Sequence, residues 1–138
     1  LKLDLERNDL ARSIPIEFVQ LSSLIRLALF FDALTGPIPS KLGQLSNLQD
    51  LNMDENPLTG PIPRELGQPS TLQQMFLYSN ALTGPIPSEP GQLSTVDYLW
   101  RDSNALTGQI QIPNELGQIS TLLELILYSN DFTGTLPR

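Results

Sequence analysis

An eight-residue phrase recurs along this chain at an almost constant interval. It reads Asn-Ala-Leu-Thr-Gly-Pro-Ile-Pro at residues 80–87. Edited copies begin at residues 8, 32, 56, 104 and 130, so the successive steps are 24, 24, 24, 24 and 26 residues. Self-similarity at such a period is typical of a solenoid, in which each repeat packs only against its neighbours. The chain of 138 residues therefore predicts a stack of six coils rather than a globule.

Each coil has a strand pattern before the phrase and a short helical pattern after it. In the segment Leu72-Gln-Gln-Met75-Phe-Leu77, apolar side chains alternate with variable ones. A period of two predicts a half-buried strand. Residues 39–43 read Pro-Ser-Lys-Leu-Gly. They predict one turn of helix with Ser40 near its start and Gly43 at its end.

These motifs resemble the plant-type leucine-rich repeat, whose 24-residue form carries the Leu-Thr-Gly-x-Ile-Pro signature, and the resemblance covers essentially the whole chain. It implies an α/β-type solenoid, a right-handed superhelix with a parallel β-sheet on the concave face. Mostly loop and 3₁₀ turns are implied on the convex face. The chain would form a single domain without visible caps, with coils at about 1–23, 24–47, 48–71, 72–95, 96–121 and 122–138. Members of the family usually bind partners through the concave face, and the resemblance implies an extracellular or cell-surface location.

The first position of the phrase is an amide in five of the six copies. An amide at a buried corner both accepts and donates hydrogen bonds, so it satisfies backbone groups that the turn leaves unpaired. Asp32 departs from the pattern because an ionised carboxylate cannot donate, and we expect it to meet a donor or to hold a proton. The predicted structural column is Asn8, Asp32, Asn56, Asn80, Asn104 and Asn130.

Composition excludes several classes of function. The chain has 8 basic and 15 acidic residues, a net charge of −7, which disfavours nucleic acid and anionic membrane as partners. It has no histidine and no cysteine, so the common nucleophile, base and metal-binding constellations are missing. We expect no enzyme activity, no cofactor and no metal. Neighbouring carboxylates such as Asp54 and Glu55 face a broad wet surface rather than the closed pocket that paired-acid chemistry prefers.

The predicted concave face gathers the single tryptophan and all three tyrosines of the chain. Exposed aromatic clusters mark contacts with proteins, peptides or sugars. The alternative is that a parallel sheet simply favours aromatic residues and that the patch covers Arg101. The candidate ligand-binding residues are the aromatic and aliphatic side chains Phe76, Tyr78, Tyr98, Trp100, Ile126 and Tyr128, with Asp50 and Asp54 beside them.

Two further surfaces suggest other functions. A convex column of threonines resembles the water-ordering ladder of ice-binding members of the family, although threonine also suits any exposed extended segment. Its members are Thr35, Thr59, Thr83, Thr107 and Thr133. The ends of an uncapped solenoid expose an apolar cross-section, so copies could stack end to end into a filament.

Some residues break the repeat. Arg101 occupies the inward position of Leu77 and Leu127, so we expect it to reach solvent, to find a carboxylate or to shift the strand. Pro69 and Pro90 replace core leucines and predict a looser convex side. The sequence favours drift in a tolerant array over function at these sites. It identifies neither the ligand nor the true termini.

Overall fold

The computed structural model describes residues 1–68, 71–87, 98–109 and 123–134, with the backbone alone described at 98–100 and 109. Its six-stranded parallel sheet confirms the predicted solenoid. Strand neighbours follow chain order, and equivalent residues of successive repeats pair, as Asp50 does with Gln74 and Leu51 with Met75. The strands are β1 (Lys2–Asp4), β3 (Arg26–Ala28), β6 (Asp50–Asn52), β8 (Gln74–Phe76), β10 (Tyr98–Trp100) and β12 (Glu124–Ile126).

The recurring phrase forms a second set of parallel strands. Between 24-residue repeats each residue pairs with one 22 positions further on, as Thr59 does with Ala81 and Pro61 with Thr83. After the 26-residue step the separation is 24, as between Thr107 and Asp131. The repeat is 24 residues long, so neighbouring strands of this set are displaced by two residues, an offset that the sequence analysis does not predict. These strands are β2 (Ala11–Arg12), β4 (Ala33–Leu34), β5 (Gly36–Pro37), β7 (Leu58–Pro61), β9 (Ala81–Gly84), β11 (Ala105–Gln109) and β13 (Asp131–Thr133).

The core is a stack of equivalent apolar side chains between the two sets of strands. Leu27, Leu51 and Met75 are fully buried in one column, and Leu58 and Leu82 in another. Each such side chain contributes about 1.5–3 kcal/mol on burial. Because every column continues from coil to coil, no coil buries its own core alone.

Between the strands of the described residues lie three 3₁₀ helices, η1 (Ile16–Gln20), η2 (Ser40–Gln44) and η3 (Arg64–Gly67). The predicted helical turn is confirmed, but its predicted end at Gly43 is wrong. The helix continues through Gln44 to a C-cap at Leu45, and the N-cap is Pro39, without a side-chain hydrogen bond. A Cβ on Gly43 would lie 2.1 Å from the carbonyl oxygen of Glu65, so glycine lets adjacent repeats pack closely.

A left-handed residue ends the turn after each main strand. Phe31, Glu55 and Ser79 have φ values of 59°, 50° and 52°. The sequence pattern does not predict this turn, because none of these residues is glycine. In the phrase, the bend falls on a glycine, such as Gly60 with φ 77°, whereas Arg12 takes that position in the first coil with φ 92°.

Pro69 and Pro90 lie outside the described residues, and so do residues 110–122 within the 26-residue step. Within the part of the chain that the structure describes, no helix has both the length and the apolar character needed to cross a bilayer.

Candidate ligand-binding face

The corner amides join each repeat to the one before it. Asn56 donates to the carbonyl oxygen of Leu29 in the preceding repeat at 2.7 Å and to that of Asp54 at 2.9 Å. Its Oδ1 accepts from the backbone N–H of Leu34 at 3.0 Å. Asn80, Asn104 and Asn130 make the same two kinds of bond. The side-chain nitrogen of each donates to a backbone carbonyl oxygen of the preceding repeat, and its Oδ1 accepts from a backbone N–H of that repeat. One side chain therefore satisfies backbone groups of two repeats.

Asp32 keeps only half of this arrangement. Its Oδ1 accepts from the backbone N–H groups of Asn8 at 2.8 Å and Leu10 at 3.0 Å, so the expected donors are present. Its Oδ2 is buried and has no hydrogen-bond partner. The carboxylate thus lacks the donor that Asn56 supplies at the same position. Asn8 donates to Leu5 and Glu6 within its own repeat.

Residues of adjacent strands in the main sheet form rows across the repeats. One row joins Asp50, Gln74, Tyr98 and Glu124, and the next joins Asn52, Phe76, Trp100 and Ile126. The sequence-predicted residues Phe76, Trp100 and Ile126 therefore stand on adjacent strands, and Phe76 and Ile126 are half-buried. The side chains of Tyr98 and Trp100 lie outside the described residues.

A third row follows the strands and alternates acid with tyrosine, as Asp54, Tyr78, Asp102 and Tyr128. Asp54 Oδ1 accepts from the backbone N–H of Tyr78 at 3.0 Å. The backbone N–H of Ser103 donates to the carbonyl oxygen of Tyr128 at 3.0 Å, which places the last repeat beside the fifth. We name these three rows together the ligand face.

Asp54 differs from the expected surface carboxylate, because its residue exposure is only 2 %. Its pKa is raised to about 8, chiefly by burial and also by the nearby charges of Asp102 and Glu55, against the opposing hydrogen bond from the backbone of Tyr78. Asp54 is therefore mostly protonated at neutral pH. The sequence could not show this burial, since it depends on packing by the next repeat.

Both described tyrosines of the third row interact with acids. The hydroxyl of Tyr78 donates to Glu55 Oε1 at 3.4 Å, and burial is the largest cause that raises the pKa of Tyr78 to about 12. A hydrogen bond to Asp102 raises the pKa of Tyr128, whose exposure is 65 %. The candidate site therefore includes Glu55 and Asp102, which the sequence-predicted set lacks. The position of Asp102 in the repeat could have identified it, because Asp102 stands two repeats after Asp54 in the same row.

Arg101 points into the core and is fully buried. Its Nη2 lies 3.4 Å from the sulfur of Met75, and its Nε and Nη1 have no hydrogen-bond partner. Burial lowers its pKa to about 9. The expectation that Arg101 reaches solvent is wrong. Among the described residues, no carboxylate forms an ion pair with Arg101.

The threonine column faces outward. Thr35, Thr59, Thr83, Thr107 and Thr133 are all exposed. With strands about 4.8 Å apart and a two-residue offset of about 6.6 Å, equivalent threonines stand about 8 Å apart.

Comparison with known proteins identifies the class of protein to which this chain is similar. The family model described as Leucine Rich Repeat matches residues 47–69. A crystal structure of a TDR receptor is 35% identical, with TM-score 0.88, over 98% of this chain and 23% of that one. The ectodomain of the Arabidopsis receptor kinase HAESA, in complex with an IDA peptide hormone ligand, is 32% identical, with TM-score 0.84, over 95% and 22%. A plant ice-binding protein is 32% identical, with TM-score 0.72, over 79% and 36%.

The repeating strand, corner amide and 3₁₀ turn define a leucine-rich-repeat solenoid. The chain is a leucine-rich-repeat protein of the plant type, similar to receptor ectodomains. It spans about a fifth of the length of the TDR and HAESA receptor structures. No curated protein sequence matches it.

Proposed function

We propose that this chain is a non-enzymatic recognition module that binds a peptide or protein segment across the ligand face. The observation that carries the proposal is the third row, where Tyr78 and Tyr128 present their rings beside Glu55 and Asp102. Tyrosine offers a large contact area with a polar end, a combination enriched at interfaces. The likeness to a receptor ectodomain that holds a peptide hormone supports this use and an extracellular or cell-surface location.

The test is selection of ligands from a displayed library of random peptides, followed by measurement with the double variant Trp100→Ala, Tyr78→Ala. We expect binding of the selected peptides to be lost in the double variant, while its circular dichroism stays native. A variant on the exposed convex column, Thr35→Ala, serves as the control. Unchanged affinity in the double variant would refute the proposal.

Ice binding through the convex face is the second candidate function. It is favoured by the exposed threonine column and by the likeness to a plant ice-binding protein. It predicts thermal hysteresis that disappears when Thr59 and Thr83 are replaced by lysine. Hysteresis that is absent in the native chain would exclude it.

End-to-end association into a filament stays a prediction. Light scattering tests it, because rods should grow with protein concentration. A constant particle mass over a hundredfold dilution would exclude it.

A further inference from the structure

On the outer side of the main sheet, the charge of the first two repeats differs from that of the later repeats. In the first two repeats, two basic side chains have an acidic or aromatic neighbour. Arg26 Nε lies 2.8 Å from Asp4 Oδ1, and the guanidinium of Arg7 lies 5.4 Å from the ring centre of Phe31. From the third repeat on, the described outer positions carry carboxyl groups and no cation, because Arg101 points inward. The acidic residues there are Asp50, Asp54, Glu55, Asp102 and Glu124.

Two carboxyl groups of this half each meet a tyrosine. Glu55 is exposed and accepts a hydrogen bond from the hydroxyl of Tyr78. Asp102 is only 5 % exposed and accepts a hydrogen bond from the highly exposed Tyr128. A guanidinium or ammonium group is attracted both by a carboxylate and by the face of an adjacent ring. Arg7 above Phe31 shows that the protein already uses this contact within its first two repeats.

We propose that the ligand face of the third to sixth repeats binds an extended cationic peptide, with two basic side chains held at the Glu55–Tyr78 and Asp102–Tyr128 pairs. The proposal rests on the proposed function and adds the chemistry of the ligand. The two pairs are two repeats apart, about 9.6 Å at the usual strand spacing. An extended or polyproline-type chain rises about 3.1–3.3 Å per residue, so basic residues three positions apart match this distance.

The protonation of Asp54, which is buried beside this surface, supplies a second way to detect a bound cation. It lies among the carboxylates of Glu55 and Asp102, the hydroxyl of Tyr78 and the amide of Asn52. Its pKa of about 8 means that it holds a proton at pH 7. A cation bound beside it favours the ionised form. Binding at pH 7 therefore releases a proton, and affinity rises between pH 6 and pH 8.

The experiment uses three synthetic peptides of the form Gly-X-Pro-Ser-X-Pro-Gly with blocked ends, in which X is arginine, glutamine or glutamate. Isothermal calorimetry in buffers of different ionisation enthalpy measures affinity and proton release together. We expect the arginine peptide to bind at least tenfold more tightly than the glutamine peptide, and the glutamate peptide not to bind. Moving the two arginines to adjacent positions should weaken binding.

Matched variants separate a defined site from diffuse attraction by the net charge. Glu55→Gln with Asp102→Asn should lower the affinity about tenfold, which corresponds to about 0.7 kcal/mol for each of the two charge pairs. Glu17→Gln with Asp131→Asn removes the same charge from exposed positions off the ligand face and should leave affinity unchanged. Equal loss in both double variants, or equal binding of the arginine and glutamine peptides, would overturn the proposal.

Peptides selected from the displayed library distinguish failure of this inference from failure of the proposed function. Selected peptides that are neutral or acidic and lose binding on Tyr78→Ala would overturn the cationic ligand and leave the binding face intact. Selected peptides that bind Tyr78→Ala and Trp100→Ala normally would overturn both.

Discussion

Arg101 is the core position at which a single substitution tests the packing most directly. It stands in the column of Leu29, Met53 and Leu77, all of which are buried, and it replaces their apolar side chains with a guanidinium. Two of its nitrogens have no hydrogen-bond partner. We predict that Arg101→Leu raises the free energy of unfolding, because it removes an unpaired charge and restores the column.

The magnitude follows from the cost of burying the charge. Burial lowers the pKa of Arg101 from its ordinary value to about 9, which corresponds to about 5 kcal/mol at about 1.4 kcal/mol per pH unit. Relaxation around the charge makes this an upper bound, and exchange of buried ionic groups for apolar ones stabilises proteins by about 1–4 kcal/mol. We expect about 3 kcal/mol, or roughly 10 °C in Tm for a domain of this size.

Urea and thermal unfolding followed by circular dichroism measure the effect at pH 7. Arg64→Leu, on the exposed convex side, is the control and should change stability by less than about 0.5 kcal/mol. A second readout is pH. Between pH 9 and 12.5 the unfolded state holds the Arg101 proton and the folded state does not, so native stability rises with pH relative to the leucine variant. A leucine variant that is less stable than the native chain would refute the reasoning.

Three further predictions concern polar groups. Between pH 3.8 and about 8 the folded state holds an extra proton on Asp54. Asp54 should therefore make the free energy of unfolding fall with rising pH by up to about 1.4 kcal/mol per pH unit. Urea titrations of Asp54→Asn should lack this pH dependence. A pH dependence that is unchanged in the variant would contradict the raised pKa of Asp54. Asp32→Asn supplies the missing donor and should raise stability by about 1–2 kcal/mol in the same assay, whereas Asp32→Ala should lower it. Asn56→Ala leaves buried backbone groups of two repeats unpaired and should cost about 3 kcal/mol or more, and a cost below 1 kcal/mol would show that water replaces the amide.

The sequence predicts the main sheet because burial there depends on local alternation. Leu51 and Met75 are apolar at every second position, and a slip of one residue would turn them to solvent, so the register follows from the pattern. The helical turn that begins at Ser40 is also predicted, because it is formed by consecutive residues of one coil, although it ends one residue later than predicted. The aromatic row containing Phe76 is also visible in the sequence, because equal spacing in a repeat places side chains on adjacent strands.

Features that depend on contacts between repeats are not visible in this way. The role of Gly43 depends on the carbonyl oxygen of Glu65, which belongs to the next coil. The burial of Asp54 depends on how the next strand covers it, and composition alone marks it as a surface acid. The two-residue offset of the second set of strands depends on how one coil tilts against the next, which a pattern within a single coil does not encode.

The bond from Asn56 to Leu29 has a consequence for how such an array changes length. Each amide completes the turn of the preceding coil, so the energetic unit straddles the boundary between two copies of the sequence. Recombination between equivalent positions of two copies removes or adds one whole period and rejoins an amide to an equivalent partner, wherever the crossover falls. Gain or loss of complete coils is thereby tolerated, whereas loss of part of a coil separates an amide from its partner.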